Sequence, residues 1–334
     1  MKYLVSVFLF SVLLTACHSG KSIPDVSGIT VNLQTIRFEK DFFGIDTLHI
    51  NASLQQLENR QPGFTKDFLY NILGTSPDSA ENDIRSFIRT YASMYTASQK
   101  QFPDFSKTAA AVKRGLQFVH YYFPGYPLPE KLITFIGPIN SYGNIITPRA
   151  LAVGLQLYMG GQYPLYLTEQ GQEMYPLFVS RRFEPEYIPV NCMKNIIDDM
   201  FPNNSMGKPL VQQMVESGKR LYLLNLLLPE TADTLTTGYT EKQLQGCRAS
   251  ERNIWSFFIQ NDMLFKNDPN LTRDYMNDGP NTAALGEASP GNIGQFVGWQ
   301  IVQKWMEAHP ETTPAALMKK DPGQLFSEAR YKPK

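Results

Sequence analysis

The chain has 334 residues and no formal net charge, with 31 basic residues against 31 acidic ones. Apolar residues make up 43% and aromatics 12%, the composition of a globular chain long enough for one large core or two closely packed ones. No long basic run argues for a nucleic-acid footprint, and nothing beyond residue 17 approaches the roughly eighteen consecutive apolar residues of a membrane span.

Lys2 precedes an apolar run from Leu4 to Leu14, followed by Thr15, Ala16 and Cys17. A basic start, an apolar stretch too short to cross a bilayer and small residues before a cleavage point predict a signal peptide over 1–16. An ordinary signal peptide with a chance cysteine is the plainer reading. Leu14-Thr15-Ala16-Cys17 also resembles the lipobox of bacterial lipoproteins, which are cut before the cysteine and acylated on it. Two or three acyl chains hold a domain firmly at a membrane where one is marginal. Cys17 is therefore the candidate lipidation site. No aspartate follows it, and by lipoprotein sorting habit this points to the outer membrane, with the side left open. Residues 17–32, polar with Pro24 and Gly28, read as a tether.

From 33 to 43, Leu33, Ile36, Phe38 and Phe42 fit either a strand or the start of a helix. The stretches 50–59 and Phe64 to Leu73 predict helices. Pro77-Asp78-Ser79 opens another, with Ile84, Phe87, Ile88, Tyr91 and Tyr95 at helical spacing. A further helix is expected over 106–122. The β-branched run from Lys131 to Gly137 predicts a strand, Tyr142 to Thr147 a second, and Leu151 to Tyr158 a strand or short helix, as in a small sheet or hairpin. Helices return after about 170. Pro189 fits the first turn of one that runs to Met200. Pro209 to Leu224 forms the next. Thr240 with Gln243 is a capping-box pattern that opens a helix or helix pair over 241–265. Residues 266–292, rich in Asn, Asp, Gly and Pro, predict a long loop. Helices from about 292 to 308, after Thr313-Pro314 and after Asp321-Pro322 close the chain. The expected fold is α+β: one mainly helical domain over 33–334, with a small antiparallel or mixed sheet at about 130–158 lying against the helix after Pro189.

Catalytic chemistry needs a nucleophile, a tuned acid or base, or a metal. The four histidines (His18, His49, His120 and His309) include no metal-spaced pair, and there is no HExxH, CxxC, GxSxG or phosphate loop. No metal and no cofactor are expected. Cys192 and Cys247 form one disulfide or stay as buried free thiols. Arg181 and Arg182 belong to a solvated charged linker or line the edge of a cleft. Gly294 and Gly298 share a helix face and permit close packing. Trp299, next to Gly298, is either core or part of the cleft. Glu251 reads as one member of a structural ion pair, with a helix-end cap or a cavity-facing carboxylate as the other readings.

Several short motifs recur in order along the chain: Tyr121-Tyr122-Phe123-Pro124, Gly154 to Gly160 before Tyr163-Pro164, and Cys192-Met193-Lys194-Asn195. Gly218-Lys219-Arg220-Leu221-Tyr222, Leu228-Pro229, Glu251 to Trp255, Ser289-Pro290-Gly291 through Val302 and Ser327 to Pro333 follow. Together they resemble the GldB family of gliding-motility lipoproteins of Bacteroidetes, from the lipobox to the end. The resemblance implies an envelope lipoprotein tied to gliding and, less directly, to type IX secretion, with no established catalytic activity.

The order of elements in the second half also resembles, remotely, predicted zinc peptidases with a zincin core. There a short sheet precedes a helix bearing HExxH, and a later helix supplies a glutamate. On that likeness Asn191 and Asn195 stand where the zinc histidines would, Cys192 where the base would, and Glu251 in the place of the third ligand. Amides are poor zinc ligands, so the likeness implies a relic site. The plain reading of both asparagines is two polar positions near a helix start. The function expected is a non-catalytic envelope component that binds protein or cell-wall partners, with 266–292 as its contact surface. The alternative is a peptidase-like hydrolase centred on Glu251.

Overall fold

The computed structural model describes residues 23–147 and 149–333. The expected signal peptide, Cys17 and the first part of the tether lie outside the described residues.

The first described elements are β1 (Gln34–Arg37) and α1 (Phe38–Phe43), so the ambiguous stretch 33–43 is a strand that runs straight into a helix. Next come α2 (Ile50–Arg60) and α3 (Phe64–Asp67), the latter continued by a π-helical turn over Phe68–Ile72. The long helices α4 (Ala80–Gln101) and α5 (Ser106–Tyr122) lead to β2 (Lys131–Phe135), β3 (Asn144–Thr147) and β4 (Ala150–Gly154). Two short helices, α6 (Glu169–Met174) and α7 (Leu177–Ser180), precede α8 (Tyr187–Met200) and α9 (Leu210–Leu227). The remainder is helical: α10 (Asp233–Thr237), α11 (Glu241–Ala249), α12 (Glu251–Gln260), α13 (Pro269–Met276), α14 (Ile293–Ala308), α15 (Pro314–Lys319) and α16 (Pro322–Ala329).

The four strands make one mixed sheet in the order β1-β2-β4-β3. β1 and β4 flank β2 in parallel, and β3 is antiparallel to β4 at the edge. The sheet is thus wider than 130–158, because Gln34–Arg37 joins it from the far end of the chain. Both faces are covered. Along β2 and β4, Leu132, Leu151 and Val153 enter one core, while Ile133, Phe135, Ala150 and Ala152 enter the other. This alternation follows from the two-residue period of a strand. The smaller core, with Phe38, Phe42, Ile50, Phe68 and Ile84, lies under α1, α2 and α4. The larger gathers α5, α8, α9 and α14.

One ionic feature sits in the sheet. Glu39 is 1% exposed. It takes hydrogen bonds of 2.5 Å from Arg37 and from the Thr134 hydroxyl. Burial raises its pKa, and the Arg37 guanidinium opposes that shift.

Elsewhere the structure corrects one expectation. Residues 266–292 are not loop throughout, because α13 forms there, capped by the Asp268 side chain with Pro269 in its first turn.

Candidate functional site

α8 is the element that carries most of the expected site, and its two sides do different things. On one side it lies along the edge strand β3. The Asn191 amide donates to the Tyr158 hydroxyl at 2.8 Å, and that hydroxyl donates to the Asn144 side chain. The Asn144 amide in turn reaches the Cys192 sulfur at 3.6 Å. Tyr158 is 2% exposed, and burial holds its phenol well above the usual range. Burial also pushes the Cys192 thiol up to about 12, so it is neither a base nor a ready nucleophile. These groups form a polar joint between helix and sheet. Asn195, one turn on and half-buried, shares none of these bonds.

Glu251 is elsewhere. It opens α12, is half-buried, and accepts a hydrogen bond of 2.5 Å from Tyr331 near the C-terminus. No lysine or arginine among the described residues pairs with it, so the expected ion pair is replaced by a phenol. Trp255 packs edge-on against Tyr331 at 5.0 Å, and Phe326 closes the same cluster. No hydrogen bond or ion pair links Glu251 to Asn191 or Asn195. Among the described residues, no three His, Cys, Asp or Glu side chains gather as a metal set. Cys192 and Cys247 are separate buried thiols, not a disulfide. Trp299, 3% exposed, lies within the packing of α14 on α9, and Cys192 is fully buried in the same core.

The other side of α8 borders a cleft. A hollow of about 240 Å³ opens between α8 and α9, closed by Thr236 of α10 and Gln295 of α14. Lys194, Ile197 and Asp198 face it from α8, and Ser217, Arg220, Leu221 and Leu224 from α9. Arg220 binds Asp198 and the carbonyl of Phe201, which ties it to the C-terminal end of α8. Arg181 donates to the carbonyl of Gly238 at 2.6 Å, and Arg182 pairs with Asp278. The two arginines are therefore half-buried ties to the following segments, not a solvated linker. Lys194 has no hydrogen-bond or ion-pair partner among the described residues. Burial, with Arg182 adding to it, pulls its pKa down to about 8 against the opposing pull of Asp198 and Asp278. Sequence reasoning missed this lysine. A lysine between the buried apolar positions Val190, Met193 and Ile197 of one helix was the available signal.

The Gly218-Lys219-Arg220 motif also acquires a physical meaning. Lys219 is 2% exposed, pairs with Glu216 at 2.7 Å, and donates to the carbonyls of Met318 and Lys320 at 3.0 Å each. It caps the end of α15 from within the core.

The molecule is thus a mainly helical α+β protein built on a small mixed sheet, whose motif residues are mostly joints between elements. A profile of the family described as gliding motility protein GldB matches residues 19–333. The chain belongs to this GldB family, which links it to gliding motility. No curated protein and no solved structure matched it.

Proposed function

We propose that the chain is a non-catalytic lipoprotein of the cell envelope, held by acylated Cys17 at the outer membrane. It works in gliding motility or type IX secretion by binding protein or cell-wall partners. The observation that carries this reading is the employment of the relic-site residues. Asn191 and Cys192 are taken up by the joint to Asn144 and Tyr158, and Glu251 by Tyr331. A hydrolase centred on Glu251 needs that carboxylate free to take a proton from water.

The remote zinc-peptidase likeness then describes a scaffold without its chemistry. In support, the antiparallel edge strand β3 lies along α8, as the sheet-then-helix order implied. The anchor also sets an orientation. Six residue steps separate Cys17 from Ile23, a reach of roughly 20 Å at full extension. Ile23 and Pro24 rim a hollow of about 640 Å³ with Tyr122, Tyr222, Pro310 and Pro314. On this reading that face turns toward the lipid headgroups. The contact surface for partners is the segment 266–292, which carries α13 and directly follows the exposed Phe265.

Cys17→Ala tests the anchor: the variant is expected in the soluble fraction, with gliding or secretion lost. Retention in the membrane fraction would remove the lipoprotein reading. Stoichiometric zinc that survives dialysis, or peptidase activity lost on Glu251→Gln, would restore the catalytic alternative.

A further inference from the structure

We propose that the hollow between α8 and α9 binds a single carboxylate group carried on a short apolar stem. Charge pairing points to it. Arg220 is engaged by Asp198, and Arg182 by Asp278. The Lys194 ammonium is left over, half-buried and without a partner among the described residues. A half-buried cation with no direct partner, balanced only from beyond ion-pair contact by Asp198 and Asp278, is costly, and an anion entering the hollow lowers that cost.

Size and lining fix the class of anion. About 240 Å³ is below the usual range for whole organic ligands, roughly 300–1,000 Å³, so the hollow takes the end of a molecule. Its wall combines Ile197, Leu221 and Leu224 with the Ser217 hydroxyl and the Gln295 amide. Apolar side chains suit a hydrocarbon stem, and the Ser217 hydroxyl adds a hydrogen-bond donor beside the ammonium, while the Gln295 amide donates to the Thr237 carbonyl. One free positive charge matches one negative charge. A phosphate dianion would leave a second charge uncompensated near Asp198. The donor is a small free acid or the C-terminal carboxylate of a partner peptide, which share this chemistry. The inference stands on the hollow alone and does not depend on the lipid anchor or on a role in gliding.

The test uses the full chain in detergent and follows its thermal unfolding midpoint. Butyrate is compared with uncharged butyramide, with ionic strength matched by sodium chloride. At about ten times its dissociation constant, butyrate is expected to raise the midpoint by about 2 °C or more over butyramide. In Lys194→Met the two additives are expected to act alike. A short peptide ending in valine with a free carboxylate, compared with its amide, separates the sources. A larger shift than butyrate gives assigns the site to a chain terminus, and an equal shift assigns it to a free acid. Equal midpoints in butyrate and butyramide for the wild-type chain overturn the proposal, and need no variant. So does a carboxylate effect that persists in Lys194→Met.

Discussion

Gly218 of α9 and Gly298 of α14 lie backbone to backbone: a methyl group added to Gly218 would sit 2.2 Å from the carbonyl of Gly298. The same group added to Gly298 would fall 1.6 Å from the carbonyl oxygen of Met214, one turn earlier on α9. Neither contact can be relieved by a side-chain rotation, because both partners are main chain. Gly298→Ala is therefore expected to destabilise the fold by about 3 kcal/mol or more, at the upper end of overpacking effects. Gly246, within α11, has open space where its Cβ would go. Gly246→Ala is expected to stabilise by about 0.5–1 kcal/mol. Urea midpoints of the two variants, measured side by side, check both signs.

Lys219 offers a second stability test. Lys219→Met removes one buried cation, leaves two carbonyls without their donor and leaves Glu216 only its longer contact to Arg220. A loss of about 3 kcal/mol is expected, as for other buried pairs broken on one side. Equilibrium unfolding in urea measures it, and a loss below about 1 kcal/mol would show that the cap contributes little.

The titration of Lys194 gives a pH signature. Its folded pKa of about 8 lies below the ordinary value of 10.5. Between those values the unfolded chain binds more protons, so this lysine makes stability rise with pH. Below pH 8 its full cost is present. The wild-type chain is therefore expected to gain stability relative to Lys194→Met from about pH 8 to 10.5. A constant difference across that window would contradict the assigned environment of the ammonium.

The buried thiols and phenols act in the opposite sense. Cys192 and Cys247 are pushed up to about 12 by burial. Tyr158, Tyr166, Tyr239 and Tyr331 are held well above 10.0. The folded chain thus keeps protons that the unfolded chain releases, and absolute stability is expected to fall above about pH 9. Circular dichroism along an alkaline titration checks it.

The same burial predicts thiol behaviour. In the native protein at pH 8, Cys192 and Cys247 are expected to resist a chromogenic disulfide reagent, and in urea without reductant both are expected to react. A native pair that stays silent in urea would mean they are bonded to each other.

Much of this architecture was legible from local patterns. The helix over 106–122 has its boundaries in the sequence, because Val112, Leu116 and Val119 repeat along one buried face. The capping box of Thr240 and Gln243 is present as expected. β1 was not legible as part of the sheet: it is four residues long, and its partner Lys131–Thr134 is far away along the chain. Such pairing is fixed by tertiary contacts, not by local preference. α13 had a readable start in Asp268-Pro269, but the polar composition of 266–292 masked it. For the site, the spacing of Asn191 and Asn195 suggested a shared role, and only Asn191 joins the polar joint. The phenol that bonds Glu251 is out of reach of local spacing, because Tyr331 lies 80 residues further along the chain. Lys194 carried no motif value of its own, since a lone ammonium becomes informative only when its surroundings are known.

Three consecutive residues of α9 are each committed to a different neighbour: Gly218 to α14, Lys219 to the end of α15 and Arg220 to the end of α8. The stretch works as a rivet through three plates. Displacing any one of these helices strains the contacts to the other two within a single helical turn, so the junction shifts as a block and not as a hinge.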